Sequence, residues 1–507
     1  MRTLDPTFRY EWAPSTDDLA AAAGLDPVEI VRFDANVPAS PPAAARPATV
    51  AGALACVNEY AHGGYPELTR AIADTAGVSV ENVVLGAGAD DLILLCARAL
   101  AGPGDVVAVA DAPTYPLYRL AAALAGAEVG EEGAALTFCC RPNNPTGALA
   151  PLPVARPLVV DEAYHEYAGV TATHLLDRGV VVLRTFSKAY GLAGARVGYA
   201  LAERDVAEEL RARQAPLAVS TLSAALALAA LADPPDVGPQ VEERERLAVE
   251  LRSLGLEPLP SRANFVFVPL EDPAGLAASL LRAGLVVRVL EGGVRISVRD
   301  RADDDLLLGA LARALDRPRA EAQPGRRARV VRATAETRLR VRLGLDGAGL
   351  VRVATGAGVY DHLWEQLAFH AGLDLVLDGV GDLETGAHHT VEDTGLALGA
   401  ALDRALGDRR GIARYGDAVV PMDDAVARAA VDLGGRGWAK VVIEPAPELA
   451  VHALRSLASA ARMAVHVEAH GDDAHHTAEA AFKAVGRSLR AAKLAESSVL
   501  PSTKGML

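Results

Sequence analysis

The chain has 507 residues, 51% of them apolar and 23% charged, proportions that exclude wholesale disorder. At roughly 100–200 residues per domain, this length holds two to four compact units. A net charge of −15 argues against nucleic acid as a partner, since a phosphate backbone needs clustered cations, and no run approaches the ~20 apolar residues of a membrane span. Cys56, Cys96, Cys139 and Cys140 show no CxxC spacing, and residues 1–12 lack the apolar core of a secretory signal. Both features fit a reducing, cytoplasmic location.

Taken in chain order, short apolar runs at residues 82–85, 106–110, 136–140, 158–160, 180–183 and 197–200 alternate with Ala- and Leu-rich stretches such as 91–101 and 117–125. That alternation predicts an α/β half with a doubly wound, mostly parallel sheet. Residues 247–313 follow as a smaller α+β unit, with strands expected at 264–268 and 294–298. The polar segment 316–329, which carries Pro318 and Pro324, reads as a linker. The expected division is 1–316, a linker at 317–328, and 329–507. Beyond the linker, longer strand-like runs at 337–343 and 349–355 mark an α+β half. This half is internally duplicated: His388-His389-Thr-Val-Glu392 recurs 87 residues later as His475-His476-Thr-Ala-Glu479. A lone histidine precedes each copy, His362 and then His452, 90 residues on.

Lysine is nearly absent from the chain, and Lys188 is the only one in the first 439 residues. Alone it reads as a surface charge. Its neighbours change that reading: Pro113-Thr-Tyr115, Arg141-Pro-Asn-Asn-Pro-Thr-Gly147 and Asp161-Glu-Ala-Tyr164 each follow an expected strand, as does Lys188 itself. Ligands of doubly wound sheets bind outside these strand ends, and lysine can form a Schiff base with an aldehyde cofactor. With these motifs, residues 30–315 resemble the fold-type I pyridoxal-phosphate aminotransferases, most closely the histidinol-phosphate aminotransferases. The resemblance implies pyridoxal 5'-phosphate as cofactor, with Lys188 as its Schiff-base and proton-shuttling residue and Asp161 paired to the pyridine nitrogen. It also implies Asn144 and Tyr164 on the ring hydroxyl and Tyr115 stacked on the ring. Arg196, Thr185, Ser187 and the amides of Ala89 and Asp90 would hold the phosphate. Arg295 would grip the α-carboxylate of glutamate and Arg288 the substrate phosphate, while Tyr65 would reach across a dimer. Arg288 and Arg295 stand seven apart, where the family has a longer loop.

On a helix, His388 and Glu392 share a face while His389 points about 100° away. One HHxxE can therefore serve one metal with a His/Glu pair and another with its second histidine. His362, His388, His389, His452, His475 and His476 with Glu392 and Glu479 are enough for two ions of three histidines and one glutamate each. Open octahedral sites suited to Mn2+ or a similar divalent ion are expected, and a water-activating dinuclear hydrolase shares this donor set. The surrounding stretches, among them Thr355-Gly-Ala-Gly-Val-Tyr-Asp-His362, Pro421-Met-Asp-Asp424 and Pro501-Ser-Thr-Lys-Gly505, resemble the imidazoleglycerol-phosphate dehydratases from about residue 329 onward. The resemblance implies Glu336 for acid/base work with His370 as a second candidate. Arg414, Arg436, Ser502 and Lys504 would clamp the substrate phosphate. It further implies a 24-subunit shell with metals shared between chains.

Together the two resemblances imply a histidine-biosynthesis pair: dehydration of imidazoleglycerol phosphate to imidazole-acetol phosphate, then transamination of that ketone with glutamate. The competing expectation keeps the dehydratase and makes the first half a structural partner or a pyridoxal enzyme for another amine.

Overall fold

The computed structural model describes residues 12–25, 27–39, 42, 44–45, 47–317, 326–346, 351–496 and 499–502. Most of the expected linker lies outside these residues, as does Lys504. The chain separates into two compact units, residues 1–320 and 321–507.

The first unit is built on a seven-stranded sheet. Its strands are β1 (Val83–Gly86), β2 (Val106–Val109), β3 (Glu128–Val129), β4 (Leu136–Cys140), β5 (Leu158–Asp161), β6 (Val180–Thr185) and β7 (Gly198–Leu201), in spatial order β1-β7-β6-β5-β4-β2-β3. Only β7 runs against its neighbours. The central strands read as unbroken Val/Leu runs because both faces are covered. Val159 and Val181 point into one core with Leu92 and Phe138, and Leu158, Val160 and Val182 into another. Helices α1 (Ala89–Leu100) and α2 (Leu117–Ala125) pack on the first of these faces. A smaller antiparallel sheet, β8 (Phe265–Pro269), β9 (Arg288–Leu290) and β10 (Gly293–Ser297), has the order β9-β10-β8. The expected strands are present, with ends displaced by one or two residues.

The second unit repeats one β/α plan. The first copy has β11 (Arg327–Ala333), β12 (Thr337–Gly344), β13 (Val351–Ala354), α3 (Gly358–Ala371), β14 (Asp374–Gly381) and α4 (His388–Leu406). The second has β15 (Tyr415–Met422), β16 (Ala425–Asp432), β17 (Trp438–Glu444), α5 (Ala450–Ala460), β18 (Ala464–His470) and α6 (Ala474–Ala492). The sheet orders match, β11-β12-β14-β13 and β15-β16-β18-β17, and each ends in one parallel pair. One hydrophobic core joins both sheets and all four helices. Its helix pairs cross the duplication: α3 packs on α6 and α4 on α5. Small residues permit this approach. A Cβ at Gly399 would lie 2.6 Å from Leu457 O, and one at Gly486, its repeat equivalent, 2.4 Å from Leu367 O. Trp364, 1% exposed, meets Phe482 edge-on at 5.4 Å on the α3–α6 seam.

Candidate functional site

In the first unit the chain leaves β1, β2, β4, β5 and β6 at one sheet edge, and the expected groups gather there. Lys188, three residues past the end of β6, is half-buried, with Nζ 3.4 Å from Ala35 O and 5.8 Å from the centre of the Tyr164 ring. Burial, helped by nearby Arg295, lowers its ammonium to about 8. Asp161 ends β5 at 4% exposure, accepting from Tyr118 Oη at 2.7 Å and from the Ala163 amide at 3.1 Å. Burial raises it to about 6. Two opposite charges are thus both pushed toward neutrality by the same desolvation.

The remaining groups are paired with one another. Arg196 donates to Asp90 at 3.0 Å, and Tyr115 Oη to the same carboxylate at 3.0 Å. Arg295 donates to Asn144 Oδ1 at 2.6 Å and to Asp34 O at 2.7 Å. Tyr164 Oη accepts from Asn36 at 3.1 Å, and Thr185 Oγ1 donates to Ser187 Oγ at 3.0 Å. Tyr65 donates to Val219 O at 2.8 Å within its own chain. At the start of α1 the expected phosphate cradle offers backbone amides alone. α1 starts at Gly88 (φ 88°) without a side-chain cap, and a Cβ there would lie 2.8 Å from Arg196 Nη2. Free amides at a helix start beside an arginine suit a phosphate, and the buried Nε of Arg295 has no partner. This donor set fits pyridoxal phosphate.

In β9–β10, Arg288 and Arg295 lie directly opposite in register, which puts their side chains on one face of the hairpin. The short connection therefore brings the two cations together.

The second unit forms two metal-type clusters, each across a cross-repeat helix pair. His362 of α3 joins His475 and Glu479 of α6, and His388 and Glu392 of α4 join His452 of α5. Within each, the candidate ligand atoms all lie within 4.8 Å of one another. His362 and His475 stand 3.3 and 3.2 Å from Glu479 Oε2. His388 and His452 each lie 3.7 Å from Glu392. The Nε2 atom of His452 is buried without a hydrogen-bond partner, an arrangement that a divalent ion would satisfy.

Within one chain and among the described residues, each cluster holds two histidines and one glutamate. The second histidine of each motif turns away, as its helical phase requires. His389 Nδ1 lies 3.0 Å from Asp382, with Nε2 3.9 Å from Glu336. His476 Nδ1 lies 2.6 Å from Asp424. Glu336 and Asp424 occupy the same place in their repeats, just before β12 and β16. Asp473 caps α6 by accepting from the amides of His475 and His476.

Residues 355–489 match the imidazoleglycerol-phosphate dehydratase family, and residues 28–131 and 130–311, more than half of the chain, match aminotransferase class I and II. Imidazoleglycerol-phosphate dehydratase of Salinispora tropica is 47% identical over 204 residues, covering 36% of this chain and 99% of that protein. The chain belongs to both families. The bifunctional histidine-biosynthesis protein HisB of Xylella fastidiosa is 44% identical over 207 residues. That match spans 36% of this chain and 55% of HisB, so it bears on the dehydratase unit and not on what is fused to it. For the aminotransferase unit, the structure of histidinol-phosphate aminotransferase from Sinorhizobium meliloti in complex with pyridoxal-5'-phosphate is 28% identical. It covers 62% of this chain and 98% of its own, with a TM-score of 0.53.

In the dehydratase unit, Arg414 donates to Asp432 at 2.8 Å and to Pro501 O at 2.8 Å, bringing it beside the segment that holds Ser502. Arg436 is exposed in the turn before β17. His370 ends α3 facing Lys483, Arg487 and Arg490. Burial first, and then these cations, lower its pKa. Lys483 escaped the sequence reading: it donates to Glu479 at 2.7 Å, while Leu396 stands at the equivalent place in the first repeat. Its signal was present, as one of five lysines in the chain set four residues past a candidate ligand. Burial pushes Glu479 up, but Lys483 and His362 outweigh it and hold it below the ordinary range. In the aminotransferase unit, Asn36 and Tyr118 were likewise missed.

Proposed function

We propose that the dehydratase unit converts imidazoleglycerol phosphate to imidazole-acetol phosphate, and that the aminotransferase unit converts this ketone, with glutamate, to histidinol phosphate. The observation that carries the pairing is Arg288 set directly opposite Arg295. Two cations on one face suit glutamate, with two carboxylates, and equally a substrate bearing a phosphate.

Pyridoxal phosphate, when bound, supplies the electron sink for transamination. Asn144 and Tyr164 orient the ring hydroxyl, Tyr115 covers the ring, and the Ala89 and Asp90 amides with Thr185, Ser187 and Arg196 hold the phosphate. Lys188, already biased toward its neutral amine, moves the proton at the substrate's α-carbon. Arg295 holds the α-carboxylate.

Divalent ions, Mn2+ foremost, supply Lewis acidity to the dehydratase. His362, His475 and Glu479 hold one, and His388, Glu392 and His452 the other. His389 and His476, turned outward on their helices, complete the clusters of further copies in a 24-subunit shell, while the aminotransferase unit dimerises with Tyr65 near the seam. Glu336, beside His389, exchanges the substrate's carbon-bound proton, with His370 as the second candidate. Arg414, Arg436, Ser502 and Lys504 clamp the phosphate. The free cysteines support a cytoplasmic location.

The purified chain, given imidazoleglycerol phosphate, glutamate, pyridoxal phosphate and Mn2+, is expected to release histidinol phosphate and 2-oxoglutarate in equal amounts. A ketone product without 2-oxoglutarate would overturn the aminotransferase reading. Turnover unaffected by a chelator would overturn the dehydratase mechanism.

A further inference from the structure

One buried hydroxyl at the aminotransferase site has no role in the scheme above. Tyr118, on α2, is 0% exposed. Its ring stacks on Phe138 at 5.2 Å and meets Tyr115 edge-on at 5.8 Å. Its hydroxyl donates to Asp161 Oδ2 at 2.7 Å, and the Ala163 amide donates to Oδ1 at 3.1 Å. A carboxylate gripped at both oxygens, one of them by a phenol packed between two rings, has a single orientation.

We propose that Tyr118 is a positioning residue that fixes the Asp161 carboxylate in the one orientation that aims it at the ring nitrogen of pyridoxal phosphate. The inference rests on the pyridoxal reading of this unit and goes beyond it by assigning a residue that acts through another. Burial favours the neutral acid at Asp161, and the Tyr118 hydrogen bond is the largest influence opposing it. A protonated Asp161 would carry no negative charge to hold a pyridinium N–H, and its remaining oxygen would be a much weaker acceptor. The other groups facing Asp161 do not substitute for Tyr118. Lys188 favours ionisation and Asp90 opposes it, each less than Tyr118 does. Tyr115, Tyr164, Cys139 and Cys140 are all pushed up by burial, so none is anionic at neutral pH.

Tyr118→Phe keeps the stacked ring and removes only the hydroxyl. The test measures dissociation constants of the full chain for pyridoxal phosphate and for its 1-deaza analogue, in which C–H replaces the ring nitrogen, across a range of pH. A hydrogen bond to a charged group is worth roughly ten- to hundredfold. Tyr118→Phe should therefore weaken pyridoxal phosphate binding by about tenfold or more at neutral pH. The loss should shrink as rising pH ionises Asp161, and the deaza analogue should bind as tightly as it does to the wild type. In an Asp161→Asn background, Tyr118→Phe should have no further effect. Equal weakening for both ligands, or a loss independent of pH, overturns the proposal and leaves the pyridoxal reading standing. A wild-type chain that binds neither ligand overturns both.

Discussion

The two units handle charge in opposite ways. At the aminotransferase edge desolvation moves two opposite charges toward neutrality, Lys188 down to about 8 and Asp161 up to about 6. In the dehydratase the candidate ligands are more open: His388 is 57% and His475 48% exposed. There Glu479, beside an ammonium and an imidazole, is held below the ordinary carboxylate range. The contrast teaches that one unit tunes protons by desolvation, whereas the other keeps donors ready for an external cation.

The largest effects should separate the units completely. Lys188→Ala should lower transamination by roughly 10³- to 10⁴-fold, the scale of a lost proton-transfer group, and leave dehydration within about twofold. An amine-shuttling role is refuted if glutamate consumption persists at the wild-type rate. Conversely, His388→Ala combined with His475→Ala should remove both bound metals by elemental analysis and abolish dehydration. Transamination of added imidazole-acetol phosphate should continue. Loss of both activities together would show that the contrast between the units is wrong.

Much of this was readable from local spacing. A sole lysine after a strand and a duplicated HHxxE are one-dimensional signals, and helical phase alone turned His389 and His476 away from the clusters. What spacing could not give was the partner of each motif. His362 meets Glu479 of the other repeat because α3 packs on α6, a tertiary choice set by Gly486, Trp364 and Phe482. Tyr118 was passed over because its function lies in one contact to Asp161, 43 residues away. Asn36 reaches Tyr164 across 128 residues. Strand ends drifted because hydrogen-bonded register, not hydropathy, terminates a strand.

A smaller effect tests the dehydratase alone. Gly486→Val places a side chain where Leu367 O already stands 2.4 Å from an ideal Cβ. Overpacking of this kind costs about 1–3 kcal/mol. The expected result is a lower Tm for the metal-bound dehydratase unit and weaker metal retention, with pyridoxal binding unchanged. The smallest effect is a pH displacement in the aminotransferase. Lowering a lysine pKa makes the neutral amine available at lower pH, so capture of pyridoxal phosphate by the apo chain should rise with a midpoint near 8, not at the ordinary 10.5. Stopped-flow absorbance across the alkaline range reads this directly, and a midpoint at the ordinary value would remove the burial argument.

The cross-repeat pairing of α3 with α6 and of α4 with α5 also makes each cluster an intramolecular meeting of two fragments. Neither repeat owns a complete ligand set, and residues 407–414 tether the halves at an effective concentration on the order of millimolar or above. Metal affinity at either cluster is therefore part coordination chemistry and part tether. If the tether were cut, even the two-histidine, one-glutamate part of each site would form only when two fragments met, before any histidine of a further copy joined it.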